Sequence, residues 1–226
     1  MSPTASLELT YRSDAALLVA YATHLSRGQL VIDTDERLPN GAGVQLRLVA
    51  PAASIALAAV VVRARGEANG SGHPLETALT ITSRPETLGD GVDKLAFGFK
   101  GLKALVAASQ AAPRALLIRY LRSIVTCEVI EIDQRRLAEP GAICNVDLGV
   151  VDLDSTGAAG YELYARLREH KEAGSAPVLA VAQLERDRVR AASLGFDEAL
   201  SNPPAFADLQ ASVLRVLSKP LAIRAV

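Results

Sequence analysis

Hydrophobic and polar positions follow two rhythms along this chain. In VQLRLV, Val44, Leu46 and Leu48 alternate with Gln45 and Arg47, the two-residue period that sends neighbouring side chains to opposite faces of a strand. Short apolar runs of this kind recur from 5 to about 83, among them SLELTY, QLVIDT, SIALAAVVVRA and LETALTIT, separated by stretches such as LPNGAG. Short strands set apart by Pro, Gly and Asn predict an antiparallel barrel or sandwich. One helical piece interrupts them. In SDAALLVAYATHL, Ser13 or Asp14 can cap the start, and Leu17, Leu18 and Tyr21 fall on one face.

Beyond about 100 the period changes. The strand candidates LKALVAAS, CEVIEI, DLGVVDL, APVLAVA and EALSN alternate with the helical patterns RALLIRYLRSIV, QRRLAEPGA, GYELYARLREHKE, ERDRVRAASLGF and FADLQASVLRVLSK. Five apolar strands alternating with helices predict a parallel sheet covered on both faces. Between the two halves, RPETLGDGVDK is polar and carries Pro and Gly, the composition of a linker. The expected organisation is an all-β domain over 1–85, a linker over 86–100 and an α/β domain over 101–226.

Composition narrows the function. Half of the 226 residues are hydrophobic, 22% are charged and the net charge is −1, which suits a packed globular chain and argues against a general DNA binder. Trp is absent, so the cores rest on Leu, Val, Ile and Ala. Cys127 and Cys144 lack metal spacing, and His24, His73 and His170 stand far apart, so no metal site is expected. SIALAAVVV is too short to span a bilayer, and the first residues carry neither a basic nor an apolar signal segment. A cytoplasmic protein without membrane insertion is expected. No GxSxG, P-loop or HExxH pattern occurs, and no catalytic residue or cofactor is expected.

VVDLDSTGAAGYEL followed by APVLAVAQLERDRVRAASLGFDEALSNP resembles the receiver domain of response regulators, a flavodoxin-like fold with a five-stranded parallel sheet. The resemblance implies a phosphoacceptor aspartate at Asp152, with loop glycines at Gly157 and Gly160. It also implies an acidic pair for Mg²⁺ after the first strand, a hydroxyl after the fourth and a lysine after the fifth. Those positions read Ala108 and Ser109, Ala182, and Asn202. Mg²⁺ needs carboxylate oxygens, and charge developing on a transferring phosphoryl group needs a metal or cation against it. Asp154, two residues past the acceptor position, could help to ligate a cation, but one extra carboxylate does not replace the acidic pair. Asp152 is therefore expected to be a vestigial acceptor that caps or hydrogen-bonds at its strand end. In the last helix, Leu209, Val213, Val216 and Leu217 form a stripe expected to serve the core, while Arg186, Arg188 and Arg190 are candidate interface charges.

YATHLSRGQLVIDTDERLPNGAGVQLRL resembles a divergent PilZ domain, which implies a six-stranded β-barrel and cyclic di-GMP as ligand. The arginine pair of that family is absent, since no arginine stands four residues to either side of Arg12. Its second motif reads His24-Leu25-Ser26-Arg27-Gly28-Gln29, with Ser26 kept and His24 and Gln29 departing from the pattern. Doing without a charge-assisted hydrogen bond costs about 1.5–3 kcal/mol. Arg27, Arg63 and Arg65 are the remaining candidates for a phosphate. The combined expectation is a non-enzymatic signalling adaptor that binds proteins of a signalling or motility system and is recruited to a cell pole or pilus complex. Homodimerisation is in keeping with the receiver resemblance. Neither cyclic di-GMP binding nor phosphorylation is expected; the competing readings are a cyclic di-GMP effector with a non-standard pocket and a response regulator phosphorylated at Asp152.

Overall fold

The computed structural model describes residues 5–65, 75–83, 85–133, 136, 146–170 and 173–226. His73, Cys144, the NGSGH stretch at 69–73 and nearly all of the predicted helical piece at 134–142 lie outside the described residues. The chain divides into two units, one running up to Phe99 and regaining Ser218–Val226, the other spanning Lys100–Leu217.

The first unit contains β1 (Ala5–Thr10), α1 (Asp14–Thr23), a 3-10 turn (Leu25–Arg27), β2 (Gln29–Thr34), β3 (Gly43–Ala50), β4 (Ala53–Arg65), β5 (Leu75–Ile81) and α2 (Pro85–Gly98). The second contains β6 (Leu102–Ala107), α3 (Ala111–Ile124), β7 (Cys127–Ile132), β8 (Leu148–Asp152), α4 (Leu153–Thr156), α5 (Ala158–Glu169), β9 (Val178–Val181), α6 (Glu185–Ser193), β10 (Glu198–Leu200) and α7 (Phe206–Ser218). The last strand, β11 (Ala222–Ala225), belongs to the first unit.

Alternation builds the first sheet as expected. Leu30 and Ile32 of β2, Val44, Leu46 and Leu48 of β3, and Leu57, Ala59 and Val61 of β4 all turn inward. Ser13 caps α1, its hydroxyl accepting from the Ala16 N–H at 3.2 Å, and Leu17 at the centre of the helix is fully buried. Asp14 instead ties the helix to the sheet, its carboxylate accepting from Ala52 N–H at 2.9 Å.

Three expectations for this half are corrected. The sheet has six strands, in the order β11-β1-β3-β4-β5-β2, but no pairing joins β2 to β11 among the described residues, so it is an open mixed sheet and not a closed barrel. Its β1–β3 pair is parallel, and with α1 and α2 in the same core the unit is not all-β. The segment 86–100 is not a linker, because nearly all of it is α2. Leu88, Val92 and Leu95 recur at helical spacing and are buried. Pro85 occupies the first helical turn, where no intrahelical N–H is required. Gly91 is there for fit: a Cβ would approach Ile55 Cδ1 to 2.7 Å. Finally, the domain beginning near 101 does not run to 226. Past Ser218 the chain returns to the first unit, where β11 pairs antiparallel with β1, Leu221 N–H donates to Thr10 O at 2.7 Å and Lys219 meets Asp33 at 2.9 Å.

In the second unit all five strands are parallel, in the order β10-β9-β8-β6-β7. Counted within the unit this is 2-1-3-4-5, the flavodoxin-like order, which changes direction between β6 and β8. β8 and β9 are buried on both faces, as a sheet clad by helices requires. The stripe of Leu209, Val213, Val216 and Leu217 is buried.

Candidate functional site

In an open parallel sheet, the carboxyl ends of the strands beside the change of direction form a natural crevice, and β8 ends there on Asp152. The aspartate is 1% exposed. It caps α4, its Oδ1 accepting from the N–H groups of Asp154 at 3.2 Å and Ser155 at 3.4 Å. Thr156 closes the same turn by donating its hydroxyl to the Asp152 carbonyl at 2.6 Å. Gly160 then brings α5 onto the strand, since a Cβ there would run into the Thr156 hydroxyl and approach Val151 Cγ1 to 3.1 Å.

The loop after β10 supplies the next partner. The Asn202 side-chain amide donates to Asp152 Oδ1 at 2.9 Å and to Asp154 Oδ2 at 2.7 Å, bridging the two carboxylates. Gln183 N–H, after β9, donates to both oxygens of Asp154 at 3.1 and 2.9 Å. Asp152 Oδ2 is buried without a hydrogen-bond partner.

The remaining sequence-predicted positions frame this site without adding charge. Ala108 is buried, and its carbonyl accepts from Arg114 at 2.9 Å. Ser109 contributes its backbone N–H, which donates to Ser155 Oγ at 3.0 Å. Ala182 is buried, with its carbonyl accepting from Arg188 at 2.8 Å. Arg188 also pairs with Glu185, so that candidate interface charge helps to build the loop after β9. Asn202 precedes a cis proline, Pro203. The fold thus gathers Asp152, Asp154 and Asn202, with Ser109 reaching the group through Ser155.

These residues do not fit the Mg²⁺ that the receiver resemblance implies. A hard cation of this kind takes carboxylate oxygens and waters in near-octahedral geometry. Here Asp152 Oδ1 and both oxygens of Asp154 already accept N–H bonds, and positions 108 and 109 bring no carboxylate. No group of three or more His, Cys, Asp or Glu suited to a metal occurs among the described residues. The one unpartnered oxygen, Asp152 Oδ2, is too little for a cation site.

Sequence reasoning gives Asp154 only the part of a secondary ligand and misses the backbone of Gln183 altogether. A second carboxylate two residues past a strand-end aspartate is the available signal for Asp154. Gln183 contributes an N–H that every residue except proline carries, so its side chain gives no signal.

The candidate residues of the first unit do not converge. His24 Nε2 lies 3.3 Å from Ser218 Oγ, and burial, with Arg27 adding to it, lowers the His24 pKa below the ordinary histidine value. Ser26 donates its hydroxyl back to Ala22 O at 3.4 Å. Gln29 is exposed at the start of β2, as are Arg27 on the preceding turn and Arg63 on β4; Arg65 ends β4. Among the described residues no helix is long and apolar enough to cross a membrane.

No protein-family model and no curated protein matches the chain. Solved structures similar to it cover about half its length. A response regulator from Chloroflexus aurantiacus J-10-fl is 20% identical over 53% of this chain and 100% of its own, with a TM-score of 0.47. A signal receiver domain of a two-component signal transduction histidine kinase from Clostridium thermocellum is 17% identical over 53% of this chain and 98% of its own, with a TM-score of 0.47. A response regulator from Desulfuromonas acetoxidans is 20% identical over 51% of this chain and 96% of its own, with a TM-score of 0.44.

Proposed function

We propose that the chain is a non-enzymatic signalling adaptor whose second unit is a pseudo-receiver, working as a protein-binding surface without phosphorylation at Asp152. The observation that carries this reading is the Asn202 amide, donating to Asp152 and Asp154 at once where a phosphorylatable site would need a metal and a lysine. Transfer to Asp152 would place new negative charge beside the Asp154 carboxylate, which shares the Asn202 amide with it. The positions that should answer that charge hold Ala108, Ser109, Ala182 and Asn202. Loss of a single such stabilising group costs about 3 kcal/mol in the transition state, and here the acidic pair for a metal, the hydroxyl and the lysine are all replaced. The arrangement suits a carboxylate held permanently in one hydrogen-bonded state.

For the first unit the proposal is a PilZ-like scaffold that has lost cyclic di-GMP binding, with His24 and Ser26 engaged within the unit. A role in motility or surface behaviour, in the cytoplasm and with protein partners, follows from that resemblance by analogy. The direct test is incubation of the full chain with acetyl phosphate and Mg²⁺, followed by intact-mass measurement. The wild-type protein is expected to gain no phosphoryl group. The quadruple variant Ala108→Asp, Ser109→Asp, Ala182→Thr, Asn202→Lys, which restores the missing groups, serves as the comparison. A Mg²⁺-dependent phosphoryl group on wild-type Asp152 would overturn the reading.

A further inference from the structure

Beside the closed carboxylate site, a groove of about 620 Å³ runs between the start of α5 and the start of α6. We propose that it takes an arginine- or lysine-bearing segment of a protein partner; this rests on the adaptor reading above and names the chemistry of the partner.

Four features of the groove point to that occupant. The first is charge, because Asp154, Glu162 and Asp187 line it against one guanidinium, Arg190. Arg190 lies over the Tyr161 ring, 4.4 Å from its centre. Asp187 makes a long ion pair, 3.8 Å, with Arg186, which is 80% exposed. Glu162 is exposed, with no ion-pair partner among the described residues. A groove of this sign repels anions and attracts cations.

The second feature is an unmet polar group. The Tyr161 hydroxyl is shielded from solvent and has no hydrogen-bond partner, an arrangement that buried polar groups seldom keep. Burial and the neighbouring Asp187 raise its pKa, against the opposing pull of Arg190, so at neutral pH it stays an uncharged hydroxyl and leaves the negative charge of the groove to its carboxylates. The third is the apolar lip. Leu184 is 46% exposed at the mouth, and the space a Cβ would enter at Gly157 is open. Such a surface receives the methylene stem of a long basic side chain while its head reaches the carboxylates.

The fourth is rigidity. Tyr161 packs edge-on against Phe196, which stacks on Tyr164 at 3.9 Å. Tyr164 in turn accepts from Arg168 at 3.0 Å, and Arg168 is anchored to Asp197 at 2.7 Å. The groove wall is therefore held in place before any partner arrives, which lowers the cost of binding. A second groove, between α3 and β7, carries Arg114, Arg119 and Arg122, the opposite sign.

The test is an NMR titration of the ¹⁵N-labelled full chain with an arginine-containing hexapeptide and with its glutamate counterpart. The expected result is saturable shifts for the arginine peptide, centred on the amides of Gly157, Tyr161, Glu162, Leu184 and Asp187, and none for the glutamate peptide. Glu162→Lys and Asp187→Lys, both surface changes, should each weaken binding by about tenfold or more, the range for removing a charge-assisted hydrogen bond. Equal shifts from both peptides, shifts centred elsewhere, or binding unchanged in both variants would overturn the proposal. Concentration-dependent shifts at the same amides without peptide would overturn it in favour of a second copy of the chain. Phosphorylation of wild-type Asp152 would remove the adaptor reading while leaving the peptide map to stand on its own.

Discussion

The two units treat the positions singled out in their sequences in opposite ways. In the parallel-sheet unit, Asp152, Asp154 and Asn202 are brought together from two loops and share hydrogen bonds of 2.7–2.9 Å. In the mixed-sheet unit, His24, Ser26 and Gln29 lie within six positions of chain and yet turn in unrelated directions, one to Ser218, one back to the end of α1 and one to solvent. Closeness in sequence is thus a poor guide to a site, whereas the carboxyl edge of a parallel sheet is a good one. Of the two sets of candidate residues, only that of the second unit forms a polar site.

The comparison can be broken most forcefully through the cores. Leu9 of β1 and Leu105 of β6 are both fully buried, one in each unit. Truncation of either to alanine is expected to cost about 2–5 kcal/mol. Chemical denaturation followed by residue-resolved hydrogen exchange should show each loss confined to its own unit. A loss spread equally over both would mean that the two cores unfold as one.

Somewhat smaller effects should come from the helix in the segment expected to be a linker. Gly91→Val forces a branched side chain against Ile55, and overpacking of this kind costs about 1–3 kcal/mol. Urea melts of the full chain check it; an unchanged midpoint would contradict the packing of α2 on β4. At the site, Asn202→Ala removes the donor from two carboxylates, one of them buried. The expected loss is about 1–3 kcal/mol, read from the same melts, together with altered shifts of the Asp154 and Gln183 amides.

The smallest effect is a pH dependence. His24 has a folded pKa below its unfolded value near 6.5, because burial disfavours the imidazolium. In the window between the two values the unfolded chain binds more protons, so stability is full above about pH 6.5 and declines as pH falls towards the folded pKa. His24→Gln should flatten that part of the stability profile, measured by urea melts at successive pH values. A slope unchanged in the variant would assign the effect elsewhere.

Much of this architecture is legible from pattern alone, for physical reasons that also mark the failures. β6, β8 and β9 are visible because buried parallel strands are short, mostly apolar runs between helices, and CEVIEI matches the half-buried edge strand β7 residue for residue. α2 is hidden because Pro85, Gly89 and Gly91 look like breakers. Pro85 sits where proline is tolerated, and Gly91 permits close packing against Ile55. β11 is hidden because AIRA is four residues long and pairs with the opposite end of the chain; no local period records such a partner. Asp152 is legible as the end of a buried strand. Its bond to Asn202 is not, because that pairing depends on the order of β8, β9 and β10 in the sheet.

The central claim is that the Asn202 amide holds the place beside Asp152 and Asp154 that a cation would need. The most direct measurement is a Mg²⁺ titration followed through the Asn202 side-chain NH₂ signals and the backbone amides of Asp154 and Gln183. Those signals are expected to stay unmoved up to about 10 mM Mg²⁺, since a site with so few open oxygens holds this cation weakly. Saturable shifts of the same signals at lower Mg²⁺, with the Asn202 amide released from Asp152, would contradict it.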